Sequence, residues 1–98
     1  MALQCIYSQN EEKAYWDDLG KKIILPDKTE LSHVCYAPDT LSNVTCLIEF
    51  KNNSYLACDM NNHRLLLIKK DYIKQFGPVL NAPYSIAYSQ NLIYAATY

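Results

Sequence analysis

Internal repetition constrains this chain more than any other feature. The segments Leu3-Gln4-Cys5-Ile6-Tyr7 and Tyr15-Trp16-Asp17-Asp18 are echoed by Val44-Thr45-Cys46-Leu47-Ile48 and Leu56-Ala57-Cys58-Asp59. Cys5 aligns with Cys46, Tyr15 with Leu56 and Asp18 with Asp59, each pair 41 positions apart. A shorter third echo runs through Tyr84-Ser85-Ile86-Ala87-Tyr88 and Leu92-Ile93-Tyr94-Ala95-Ala96. Each copy is an apolar run, a polar turn and a second apolar run, the pattern of a β-hairpin. One such unit cannot bury its apolar face alone, so the repeat predicts sheets stacked on sheets.

The chain has 98 residues, which allow one domain and one modest core. Half of the residues are hydrophobic and 19% are charged, the balance of a globular chain. Within that domain the units fall at about 3–38, 44–77 and 83–98. In the first, strands are expected at Leu3–Tyr7, Ala14–Asp17, Lys22–Leu25 and Leu31–Tyr36, with Pro26 stopping the third. A helix near 10–20 competes with the second of these, capped by Ser8 or Asn10 and ended by Gly20. In the second unit the strands are Thr45–Phe50, Tyr55–Asp59, Leu65–Ile68 and Tyr72–Phe76, and Asn52 and Asn53 supply a turn that needs positive φ. Leu47–Phe50 and Leu65–Ile68 are the expected most buried strands. The predicted fold class is therefore mainly β, in antiparallel meanders, with a small α+β fold as the alternative.

Net charge is −1, with nine basic against ten acidic side chains spread along the sequence, so nucleic acid is not an expected partner. No apolar run approaches the roughly 18 residues of a membrane span, and Met1–Asn10 lacks the pattern of a signal peptide, so no membrane partner and a cytoplasmic location are expected. Under that expectation Cys5, Cys35, Cys46 and Cys58 are reduced thiols used as small apolar residues. Two disulfides in any of three connectivities remain the alternative.

The stretch from Leu47 to Leu65 carries a family resemblance. It contains a strand, a turn, a second strand and then Asp59, Asn62 and Arg64 in the order Asp-x-x-Asn-x-Arg, followed by Leu65. This resembles an NHL repeat, a β-propeller blade. Tyr72–Gly77 is similar to the end of such a blade, and Ala82-Pro83-Tyr84-Ser85-Ile86-Ala87 to the entry of the next. The match covers about positions 44–98. In the first unit Lys22 stands in place of Arg64, the asparagine is missing, and the usual hairpin glycine is absent throughout. The resemblance implies blades of about 40 to 50 residues and four strands, of which this chain holds two to three. Asp59 is expected to accept from turn N–H groups, Arg64 to bridge back to it and Asn62 to take the left-handed conformation of the turn, all structural roles.

Residues with catalytic chemistry are sparse. A zinc site built from His33, Cys35, Cys58 and His63 is conceivable, but their spacing lacks a Cys-x-x-Cys knuckle, and no metal is expected. Glu11-Glu12 and Asp17-Asp18 are adjacent pairs that point to opposite faces of a strand. With two glycines, Gly20 and Gly77, there is no phosphate-cradling loop. No catalytic residue and no cofactor are expected, and the chain reads as a non-enzyme. What remains is recognition by aromatic side chains, for which Tyr15, Trp16, Tyr94 and Tyr98 are the candidates. The expected function is a protein-interaction module that binds a protein partner or assembles as a homo-oligomer through Leu92–Ala96. The alternative is a small viral, phage or mobile-element protein that inhibits a larger host protein through an aromatic surface.

Overall fold

The computed structural model describes residues 13–35 and 37–98. The expected strand Leu3–Tyr7, the turn after it, Cys5 and Tyr36 lie outside the described residues. Among the described residues nine strands follow one another: β1 (Tyr15–Asp17), β2 (Lys22–Ile24), β3 (Glu30–Leu31), β4 (Val44–Phe50), β5 (Ser54–Asp59), β6 (Arg64–Ile68), β7 (Ile73–Gln75), β8 (Pro83–Ser89) and β9 (Leu92–Thr97). They form three antiparallel meanders, β1-β2-β3, β4-β5-β6-β7 and β8-β9, in which sequential strands are always neighbours. The only helical turn among the described residues is a 3₁₀ turn at Met60–Asn62. The fold is mainly β. The competing helix near 10–20 is not formed over its described part, where β1 is followed by a turn at 18–21.

The hairpins are set by turn chemistry. Asn52 and Asn53 have φ of 57° and 60°, and Ser54 N–H donates to the Lys51 carbonyl, a type I′ arrangement whose twist suits a β-hairpin. Gln90 and Asn91 repeat it between β8 and β9, with φ of 52° and 64°. Both hairpins carry a bulge just inside their first strand, between Val44 and Cys46 and between Pro83 and Ser85. The second and third sheets therefore begin as copies of one unit.

The sheets pack face to face around the second. Along β6, alternate residues serve different layers: Leu66 and Ile68 pack with Ile23, Leu25 and Val34 of the first unit and Leu41 of the linker, while Leu65 and Leu67 pack with Ile86 and Ile93 of the third. A strand buried on both faces needs apolar residues at every position, which accounts for the unbroken Leu65–Ile68 run. The bulge in β4 lets Val44 face one layer and Cys46 the other.

Four expectations need correction. The expected strand Leu31–Tyr36 is not formed over its described part, 31–35: the ladder ends at Leu31, Val34 N–H turns back to the Asp39 carbonyl, and His33 makes an isolated bridge with Thr40. Leu47–Phe50 is only part-buried, and β5 takes its place as the most buried partner of β6, because β4 is an edge strand and β5 an inner one. Asn62 is not left-handed; the 3₁₀ turn moves that role to His63, at φ 58° and ψ 46°. In the first unit the counterpart of Asp59 is Asp17, not Asp18, since Asp17 pairs with Lys22 as Asp59 pairs with Arg64.

Candidate interaction surface

The third sheet has two strands where the second has four. One face of it is committed. Ile86 and Ile93 pack onto the second sheet, and the Tyr88 ring meets Phe50 edge to face at 4.8 Å. Residues alternate across a strand, so the cross-strand pairs Ala87 with Tyr94 and Ser89 with Leu92 lie on the opposite, outward face. Leu92 is 55% exposed and Tyr94 56%. Beyond β9 no described strand pairs with it, which leaves a row of backbone N–H and C=O groups open.

This hairpin is held firmly by its base. Asn81 Nδ2 donates to the Tyr98 carbonyl at 2.9 Å, and Tyr98 N–H returns to the Asn81 carbonyl at 3.1 Å. Ala82 N–H donates to His63 Nδ1 at 3.0 Å, which fixes the proton of the neutral ring on Nε2. Thr45 Oγ1 donates to the Tyr84 carbonyl at 3.2 Å, tying β4 to β8. The Tyr84 and Tyr98 rings lie against each other at 4.8 Å, with Tyr98 still 76% exposed. The result is a supported aromatic and aliphatic strip running from Leu92 through Tyr94 to Tyr84 and Tyr98.

The sequence-derived aromatic set is not gathered in one place. Tyr94 and Tyr98 belong to the third sheet, whereas Tyr15 and Trp16 belong to β1 in the first. Trp16 turns inward against the core between the first two sheets, and its indole N–H donates to Asp18 Oδ1 at 3.1 Å. Bonds from Lys21 and then Trp16 lower the Asp18 pKa. Tyr15, half exposed, faces outward beside Ile24.

Asp59 and Arg64 are buried at the turn end of the β5–β6 hairpin, which they close as a cross-strand pair. Arg64 Nε and Nη2 both donate to Asp59 Oδ2 at 2.9 Å, Asn62 Nδ2 adds a third donor at 3.0 Å, and Asp59 Oδ1 accepts from Ser42 and Asn43 N–H. Arg64 Nη2 and Asn62 Nδ2 also donate to the Thr40 carbonyl. Asp59 and Arg64 thus bind the linker 40–43 to the second sheet, and neither faces a cleft.

The four conceivable zinc ligands are scattered. His33 and Cys35 are exposed on the loop after β3, Cys58 is buried under β8, and the His63 ring is engaged by Ala82. Among the described residues no group of three or more His, Cys, Asp and Glu side chains is placed to hold a metal ion. Sequence reasoning missed a different pair: Cys46 and Cys58 stand directly opposite each other on β4 and β5, with both thiols free. A hydrogen bond from Cys58 lowers the Cys46 thiol to about 6, while the same bond and burial push Cys58 up. The signal was partly legible: the two cysteines flank the asparagine turn on adjacent strands, and the three-residue loop 51–53 brings them into register.

No family model, no curated protein and no solved structure matches this chain.

Proposed function

We propose that this protein is a non-enzymatic interaction module, a propeller-like array of stacked meanders that pairs with a second copy of itself through β9. The observation that carries the reading is the open outer edge of β9, flanked by exposed Leu92 and Tyr94. The second sheet supports it by comparison. There β5, the counterpart of β9, pairs with β6 over Tyr55–Asp59, and β9 lacks that neighbour among the described residues. Antiparallel pairing of β9 with its own copy gives a four-stranded sheet β8-β9-β9-β8, as wide as the second sheet. Such a contact is isologous, and its two-fold axis crosses β9 near Tyr94 and Ala95. The NHL-like reading of Asp59, Asn62 and Arg64 is supported by their engagement at the hairpin turn, where they hold one meander to the linker before it.

Sedimentation velocity over a range of concentrations tests the proposal. The wild-type chain is expected to be a dimer, and Tyr94→Lys, a substitution on the solvent face of an edge strand, to be a folded monomer. A wild-type monomer at all concentrations, or a Tyr94→Lys dimer, would refute it. Ile93 is unsuited to this test, because it packs inward on the second sheet.

A further inference from the structure

We infer that Cys46 and Cys58 form a redox-active dithiol, a modification site at which a peroxide oxidises the pair to an intramolecular disulfide. The geometry carries it. Residues directly opposite in an antiparallel ladder have Cα atoms about 4.5 to 5.5 Å apart and side chains on one face. That range lies inside the roughly 4.4 to 6.8 Å that a disulfide spans. Cys46 and Cys58 occupy such a pair, and both side chains point into the layer between the second and third sheets. Cys58 is fully buried, while Cys46 is only part-buried and can be reached by a small oxidant. Cys46 Sγ also lies 3.9 Å from the Ile86 carbonyl oxygen of β8.

The two sulfurs divide the chemistry. The groups acting on Cys46 are the Cys58 thiol, then Ile86 and the Ser85 side chain from β8, and none of them is charged. Cys46 lowered to about 6 is the thiolate near neutral pH and therefore the nucleophile. It attacks one peroxide oxygen, the O–O bond breaks, and hydroxide leaves, giving a sulfenic acid on Cys46. The Cys58 thiol then attacks the Cys46 sulfur, the S–O bond breaks, and its proton leaves with the departing oxygen as water. Two electrons pass from the sulfur pair to the peroxide, and the disulfide is the product.

The experiment uses the Cys35→Ser protein, which removes the exposed thiol on the loop after β3. Folded protein is treated with hydrogen peroxide, then denatured, alkylated and digested with trypsin. Cleavage after Lys28, Lys51 and Arg64 puts Cys46 and Cys58 on separate peptides, Thr29–Lys51 and Asn52–Arg64. The expected product is those two peptides joined, two hydrogens lighter than their sum and separated again by a thiol reductant. A second measurement follows alkylation of Cys46 in the untreated protein, whose rate is expected to rise with a midpoint near pH 6. Recovery of both cysteines as alkylated thiols after excess peroxide would overturn the inference. So would oxidation that stops on Cys46 alone, or a disulfide that joins two chains.

Discussion

Asp59 is a buried carboxylate whose two oxygens are both engaged, by Arg64 and Asn62 on one side and by the Ser42 and Asn43 N–H groups on the other. Removing it strands the Arg64 guanidinium, only 2% exposed, without its counter-charge. Asp59→Ala is therefore expected to lower stability by about 3 to 5 kcal/mol, read by urea unfolding. Asn62→Ala removes one donation to the Asp59 carboxylate and one to the Thr40 carbonyl at a partly exposed site and should cost about 1 to 2 kcal/mol. The Asp-x-x-Asn-x-Arg run exposed these partners to sequence reasoning, but not the fact that His63 would take the left-handed position. That choice depends on the 3₁₀ turn, which forms when His63 N–H reaches the Met60 carbonyl. Gln90 is a different case, a long side chain held at φ 52°. Gln90→Gly should relieve the left-handed strain at a smaller entropic cost, raising stability by about 0.5 to 1 kcal/mol in the same measurement.

Eight of the nine described strands, all but β3, stand within a residue or two of where apolar runs and turn residues put them. The reason is local: asparagine turns and proline stops fix where a strand begins and ends. What escaped is set by neighbours. Leu31–Cys35 has strand composition, yet only Glu30 and Leu31 find a ladder, on β2, and Cys35 N–H goes instead to the Ile73 carbonyl of β7. Leu47–Phe50 is apolar enough for a core, but lies at the edge of its sheet. The β4–β5 hairpin also carries a pH signature. Cys46 ionises near pH 6 when folded and near its ordinary 9.0 when unfolded, so between these the unfolded chain holds more protons and stability rises with pH. Cys58 acts in the opposite sense: its proton is held tighter when folded, so its contribution falls as pH climbs above its ordinary 9.0. Denaturation midpoints should therefore rise from pH 6 toward pH 9 in the wild type and do so less steeply in Cys46→Ser.

At the scale of the whole molecule, the three sheets form one body with a radius of gyration of 12.3 Å, close to the roughly 12.6 Å of a compact chain this long. The second sheet is covered on both faces, and the outer sheets are each covered on one. That layering was readable from the repeat, because one unit cannot bury its apolar face alone, and from Leu65–Ile68, apolar at every position as a strand covered on both faces requires. The placement of the recognition residues was not, since Tyr15 and Trp16 look like partners of Tyr94 and Tyr98 until the stack puts them on different sheets. No helix among the described residues is long and apolar enough to cross a membrane. Among the described residues the third sheet has the fewest strands, and the proposed assembly depends on what meets β9. Amide hydrogen exchange along Leu92–Thr97, followed as protein concentration is raised, tests this most directly. The N–H groups of β9 that point away from β8 are expected to gain protection with concentration, and to lose that gain in Tyr94→Lys. Exchange at those amides that stays fast and independent of concentration would show that β9 pairs with no second copy, and would contradict the proposed assembly.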